Sequence, residues 1–545
     1  MTTELPQSPV PRSERFHHSW RHGLRISSIR IVTQAVTFAL FVGFVILTSL
    51  AQLERTPALR HWVSKFLDID PLVALATALS THTVYRGLLW SLLIVIPTFF
   101  LGRFFCNWMC PLGSLHHFVG WLPGARRRGL GLPHEVNYYS TRQRIKYAIA
   151  IALLVAAVFG SLQIGLLDPI CLVYRSISTA VWSTLGIGVP TVFGDPRLHQ
   201  GAWLIGALFA GFLLLNITHP RFFCRILCPL GALLGILSRW AWWRIERNPD
   251  TCTGCNRCLL HCEGACDPHL KLRKAECLVC FNCIEECPEG ALRFAFLPRR
   301  EDDVAGPDLA RRKLVLAGAA GALFHPLVRA TGRVTRDFAS AAIRPPGAVE
   351  ELKFLERCVK CAQCIRVCPT NVLQPAWFEA GLEGLWTPVL NFRIGYCQHQ
   401  CVACGHVCPT GAIERISPAR KLGLAESAAA GPIRLGTAHL DVNRCLPYSA
   451  GVPCRVCEEV CPTSPKAIRA VRWAPPALAD AKNVDTELLV PVVDIDLCTG
   501  CGICEYACPV VGDRRAIYVT AEGESRSRSH PAPDRNRAVR LSLPR

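Results

Sequence analysis

Four strongly apolar segments in the first half of the chain, six runs of closely spaced cysteines in the second, and a polar linker between them predict a multidomain protein. The expected fold class is a four-helix transmembrane bundle followed by small α+β modules held together by metal. At 545 residues the chain is too long for one ordinary domain. Its net charge of +19 lies mainly beside the apolar segments and in the polar tails, which fits a membrane and not nucleic acid.

The expected spans are about Ile31 to Leu50, Gly87 to Gly102, Tyr147 to Gly165 and Trp203 to Ile217. Each approaches the ~20 residues that a hydrocarbon core requires. No small-residue cleavage site follows the first, so a signal peptide is disfavoured. Seventeen Lys and Arg lie in the segments before span 1, between spans 2 and 3, and after span 4, against six in the other two loops. Basic loops stay on the cytoplasmic side, which puts residues 1–30 and the segment after span 4 there. The expected location is therefore a bacterial inner membrane, crossed several times.

Within this membrane domain, residues 31–248, eleven residues are written almost twice: RFFCNWMCPLG at 103–113 and RFFCRILCPLG at 221–231. A second echo, DPLVALATALS at 70–80 against DPICLVYRSIS at 168–178, makes this part a duplicated two-helix unit. Residues four apart share a helix face, so Cys106 pairs with Cys110 and Cys224 with Cys228, and a pseudo-two-fold brings four thiols together. Four thiolates suffice for a metal ion or an iron–sulfur centre; small packing residues beside a helix-ending proline are the alternative. Cys171 is expected to be packing only.

Residues 249–296 carry CTGCNRCLLHC and CLVCFNCIEECP. CxxCxxCxxxCP runs hold [4Fe–4S] clusters, three cysteines wrapping one cube while the fourth reaches the partner cube. Cys252, Cys255, Cys258 and Cys287 should hold one cluster, and Cys277, Cys280, Cys283 and Cys262 the other. Glu263 stands where proline is expected and Cys266 lies nearby, so Cys266 competes with Cys262 for the fourth position.

Four further motifs follow in residues 341–521: Cys358, Cys361, Cys364 and Cys368; Cys397, Cys401, Cys404 and Cys408; Cys445, Cys454, Cys457 and Cys461; Cys498, Cys501, Cys504 and Cys508. Only the outer two keep regular spacing, which suggests nested pairing of outer with outer; adjacent pairing is the alternative. Structural zinc favours two separated pairs over runs of three plus CysPro. Six motifs use 24 of the thirty cysteines and imply six [4Fe–4S] clusters.

The linker, residues 297–340, contains RRKLVLAGAAGALFHPLVRATG, which resembles a twin-arginine export signal. It is either a fifth span, which would make the C-terminal domain periplasmic, or an interfacial or buried helix. Residues 522–545 read as a disordered tail. No spans contain histidine, and CxxCH, GxGxxG after a strand and GxxxxGK[ST] are absent, so intramembrane or covalent haem, a dinucleotide fold and a P-loop are unsupported. His116, His117, Asp70 and Asp168 are candidates for proton exchange with a quinone, or ordinary interfacial and capping residues.

The paired FCxxxCPLG motifs with the two-cluster module after them resemble the NapH family of membrane ferredoxins, related to the NosR and CcoG groups. Residues 311 to 520, with ERCVKCAQCIRVCPTNVL, NRCLPYSAGVPCRVCEEVCP and DLCTGCGICEYACP, are similar to NapG-type polyferredoxins. The resemblance implies quinol oxidation in the membrane, with electrons passed between the quinone pool and a redox partner such as a reductase or cytochrome. The rival function is assembly of a metalloenzyme, with the CxxxCP thiols handling copper.

Overall fold

The computed structural model describes residues 25–50, 65–121, 137–188, 198–297, 311–338, 342–424, 428–429, 431–473, 488–512 and 514–526. Most of the basic N-terminal segment, the polar part of the linker and the tail beyond residue 526 lie outside them.

The first half is a bundle of helices: α1 (Ile26–Leu50), α2 (Pro71–Thr81), α3 (Leu92–Leu101), α4 (Pro111–Trp121), α5 (Ile145–Val158), α6 (Pro169–Ser176), α7 (Ala202–Thr218) and α8 (Pro229–Ser238). The DP echo is a helix-starting device. Asp70 accepts hydrogen bonds from the Leu72 and Val73 amides, at 2.8 and 3.3 Å, and Asp168 does the same for Ile170 and Cys171, at 3.0 and 2.8 Å. Both are followed by proline at the first helical position. The CPLG echo works alike: Cys228 caps α8, its sulfur accepting the Gly231 amide at 3.2 Å.

The duplicated halves interlock by exchange. The CPLG helix α4 packs against the DP helix α6 of the other repeat, and α8 packs against α2. The third expected span is shorter than the sequence suggested, because α5 stops at Val158 and the chain turns through Gly160 at φ +85°. Among the described residues one helix, over Ile26–Thr48, is long and apolar enough to cross a membrane alone; Arg86–Leu101 and Ala202–Thr218 are shorter apolar segments.

The linker helix α9 (Arg311–Phe338) lies along α5 and runs the same way. Gly321 meets Ala152 so closely that a Cβ would sit 2.4 Å from its carbonyl oxygen, and eight residues on, Arg329 reaches the Gly160 carbonyl at 3.4 Å.

Two cluster-type modules occupy the ends of the bundle. The first is closed by antiparallel β1 (Trp243–Arg247) and β2 (Leu292–Phe296), Trp243 facing Phe296 and Arg247 facing Leu292. Among its described residues the C-terminal domain has three two-stranded antiparallel sheets: β3 (Leu373–Pro375) with β4 (Pro388–Leu390), β5 (Thr437–Leu440) with β8 (Ile517–Thr520), and β6 (Ile468–Trp473) with β7 (Leu488–Val493).

The helices show that these modules cap opposite ends. Near the start of α5, Lys146 pairs with Glu276 of the first module, while just past its end Gly160 abuts Glu356 of the second. α7 runs the other way, from Gly201 against Trp377 to Arg221 against Glu263. Between them, Tyr85 before α3 meets Gly411 and Gly102 after it meets Val279. The C-terminal domain is seated by Ser80 donating to the Glu356 carbonyl at 2.8 Å, Arg175 to the Lys360 carbonyl at 3.0 Å and Asn371 to the Leu198 carbonyl at 3.1 Å. Gly165 is required there, since a Cβ would lie 1.8 Å from the Val359 oxygen.

The tail begins later than expected. Arg526 bonds Glu351 at 2.7 Å and Glu524 at 2.9 Å, so residues up to 526 are fastened to the C-terminal domain.

Candidate iron–sulfur sites

All thirty cysteines fall in described residues and none forms a disulfide. The motif thiols gather in fours. In the first module Cys252, Cys255, Cys258 and Cys287 line one cavity. Cys277, Cys280 and Cys283 lie near Cys262, as the three-plus-one rule requires.

The nested pairing expected for the C-terminal domain is corrected by the structure. Cys408 joins Cys358, Cys361 and Cys364, and Cys368 lines the cavity of Cys397, Cys401 and Cys404. Likewise Cys508 joins Cys445, Cys454 and Cys457, and Cys461 joins Cys498, Cys501 and Cys504. Adjacent motifs therefore pair. The stretched first gaps, which in the third motif hold a helical turn over Leu446–Ala450, leave the exchange of the last cysteine intact.

The four C-terminal sites form a row. The Cys361 site faces the bundle, where Cys361 shares a hydrophobic core with Cys171 and Tyr174. The Cys397 site follows through the shared pairing of motifs, and the Cys397 amide donates to the Cys501 carbonyl at 2.9 Å, leading to the Cys501 site and then to that of Cys445. Burial pushes the Cys258, Cys280, Cys361 and Cys501 thiols up to about 12. Without metal these groups stay protonated, so loading must expel protons and supply folding free energy.

Cys266 sits 3.5 Å from Cys262, and its amide donates to the Cys262 sulfur at 3.4 Å. The hydrogen bond from Cys266 brings Cys262 down to about 7, against the effect of burial. Cys266 also bonds Cys277 and is itself pushed well up by these two contacts. This suits a thiolate at Cys262 with Cys266 as its donor.

Glu263, the departure from proline, proves to be a clamp that spacing alone did not reveal. Its carboxylate pairs with Arg221 at 2.5 Å, Arg30 at 3.4 Å and His117 at 3.9 Å. Burial alone would raise it, but Arg221 and Arg30 hold it at about 2. His116 is buried; burial and then Arg221 lower it to about 3, with a hydrogen bond to Asn216 acting the other way. Lys421 was also missed in the sequence: its ammonium lies 3.3 Å from the Cys397 sulfur and bonds the Gln398 and Cys401 carbonyls. Asp70 and Asp168 are the caps described above; each keeps one buried oxygen outside its capping bonds.

The four CxxxCP thiols are buried and mutually close: Cys224 to Cys106, and Cys110 and Cys228 to both.

Comparison with known proteins agrees with this arrangement. A 4Fe-4S binding domain model matches residues 83–133, 201–248 and 404–423, a 4Fe-4S dicluster domain model matches 357–412, and a second 4Fe-4S binding domain model matches 490–516. The dicluster match covers both motifs of the first adjacent pair. The methylamine utilization ferredoxin-type protein MauM of Paracoccus denitrificans is 35% identical over 42% of this chain and 91% of its own length. MauM of Methylorubrum extorquens is 36% identical over 31% and 68%, and the ferredoxin-type protein NapG of Escherichia coli is 33% identical over 36% and 74%. No solved structure matches. With six paired cysteine motifs in place and relatives matched over most of their own lengths, this chain belongs to the NapG and MauM family of ferredoxin-type iron–sulfur electron-transfer proteins.

Proposed function

We propose that the chain spans a membrane and carries electrons between the quinone pool on the bundle side and a redox partner protein at the far end of the C-terminal domain, through six [4Fe–4S] clusters. In this reading a NapH-type bundle is fused to a NapG-type polyferredoxin, and α9 is the fifth span that joins them. The observation that carries it is the placement of cluster modules at opposite ends of one apolar bundle.

The outward face of that bundle supports a lipid environment. Val32, Val36 and Leu40 of α1, Leu93 and Ile96 of α3, Leu214 of α7, and Leu316, Leu323 and Leu327 of α9 are all exposed. Soluble surfaces seldom expose apolar patches of this extent. Trp240, Trp242 and Trp243 lie exposed beside the first module, at the level where aromatic belts form. By the basic-loop rule the first module is cytoplasmic and the C-terminal domain periplasmic. Quinol gives up two electrons and two protons; each cluster accepts one electron at a time. An electron moving outward gains about 2.3 kcal/mol per 100 mV of inside-negative potential.

Protease access in oriented vesicles tests the arrangement. Trypsin outside right-side-out vesicles should cleave a C-terminal tag and spare residues 249–296, and inverted vesicles should show the reverse. Cleavage of both from one side would refute it.

A further inference from the structure

The six ferredoxin sites leave four buried thiols in the middle of the molecule without a role. Around them the two RFFC arginines cross over between repeats. Arg103 lies against Gly231 of the second CPLG, and Arg221 against Gly113 of the first. Both, with Lys146, are buried: 1%, 3% and 0% exposed. Arg103 faces Cys106 and Cys228, Arg221 faces Cys224 and Cys106, and Lys146 faces Cys228.

These cations outnumber their carboxylates. Glu276 is shared by Arg103 and Lys146, and Glu263 by Arg221 and Arg30. At the thiols three cations, Arg103, Arg221 and Lys146, meet two carboxylates, and one of these is also held by Arg30, so positive charge is left unmatched. Unpaired buried charge is strongly unfavourable, so the site calls for an anion. Four neutral thiols do not supply one, whereas an oxidised cubane with four thiolate ligands carries two negative charges net.

Donors are also in place. The Gly231 amide points at the Cys228 sulfur, and the Leu112 and Gly113 amides at that of Cys110. Arg103 Nε and Asn107 Nδ2 are buried with no partner. Among the described residues no three Cys, His, Asp or Glu groups converge tightly enough for a single ion. The same holds of the six ferredoxin sites, whose cysteine spacing is that of cubane ligands.

We propose that Cys106, Cys110, Cys224 and Cys228 hold a seventh [4Fe–4S] cluster, which relays electrons through the bundle between the two modules. On one side Arg221 is shared with Cys280 of the first module. On the other, a single continuous core joins Cys106, Cys110 and Cys228 to Cys171 and Cys361. The step is a one-electron transfer: a reduced neighbouring cluster is oxidised, the core goes from 2+ to 1+, and no bond or proton moves. The relay role rests on the electron-transfer reading above; the presence of the cluster does not.

The test is iron and acid-labile sulfide per full-length chain after anaerobic purification, with Mössbauer spectroscopy. Seven cubes require about 28 irons, and six require about 24. The C106S/C110S/C224S/C228S variant should lose four irons and one cubane component. R103Q and R221Q should lower the midpoint of the centre that the serine variant lacks by at least tenfold in its one-electron equilibrium. A wild-type count near 24 would overturn the proposal whether or not the serine variant folds, and so would 24 irons with one zinc or copper. Unchanged midpoints in both arginine variants would overturn it too.

Discussion

Arg221, from the second RFFC copy, and Glu263, from the first ferredoxin module, stand 2.5 Å apart, the arginine buried and the carboxylate largely so, and both are joined to neighbours from other elements. This pair fastens the module to the bundle, and Arg30 of α1 completes it. Replacing Glu263 by alanine leaves two buried guanidinium groups without their carboxylate, a change that costs about 3–5 kcal/mol. We expect E263A to speed hydrogen exchange in residues 249–296 while leaving the C-terminal domain unchanged. Equal protection in wild type and variant would show that the clamp contributes nothing.

Cys262 and Cys266 should separate cleanly. C262S is expected to lose the cluster shared with Cys277, Cys280 and Cys283, about four irons. C266S should keep that iron and lower the cluster's midpoint, because a hydrogen bond to ligand sulfur is removed. Loss of iron in C266S with retention in C262S would reverse the assignment.

Lys421 places a positive charge 3.3 Å from the Cys397 sulfur. A cation favours the more negative, reduced cluster, so K421Q should lower that centre's midpoint by on the order of 60 mV, a tenfold change for one electron. The other centres serve as internal controls in the same EPR-monitored titration.

Glu351 ties down the end of the C-terminal domain through Arg344 at 2.6 Å and Arg526 at 2.7 Å. Burial would raise it, but these two arginines hold it at about 2. Because the folded value lies below the ordinary ~4.3, the contribution is full above that value and fades as pH falls toward about 2. At neutral pH, E351Q should release residues 521–526 to trypsin, and wild type should show the same release only on acidification. Cleavage at neutral pH in the wild type would contradict it.

Much of this arrangement was legible in the sequence, because the chemistry lies in short local patterns. The three-plus-one spacing fixed which cysteines meet in the first module, and the DP and CPLG echoes marked four helix starts and a pseudo-symmetric core. The pairing in the C-terminal domain was not legible from gap lengths. Cys445 and Cys454 are separated by an inserted turn, but ligand exchange depends on where the last cysteine of each motif falls, and Cys408 and Cys368 cross within one compact pair. Glu263 looked like a blemish in a motif, since its partners Arg30 and Arg221 are far off in sequence. The third expected span was overdrawn because hydropathy continued past Val158, where Gly160 turns the chain.

Direct reduction by quinol tests the central claim most closely. Purified, cluster-loaded full-length protein, mixed anaerobically with a reduced quinone and frozen for EPR, should show signals of reduced [4Fe–4S] clusters. They should disappear when excess oxidised quinone is added. Clusters that respond to dithionite but remain silent toward both quinol and quinone would contradict the account.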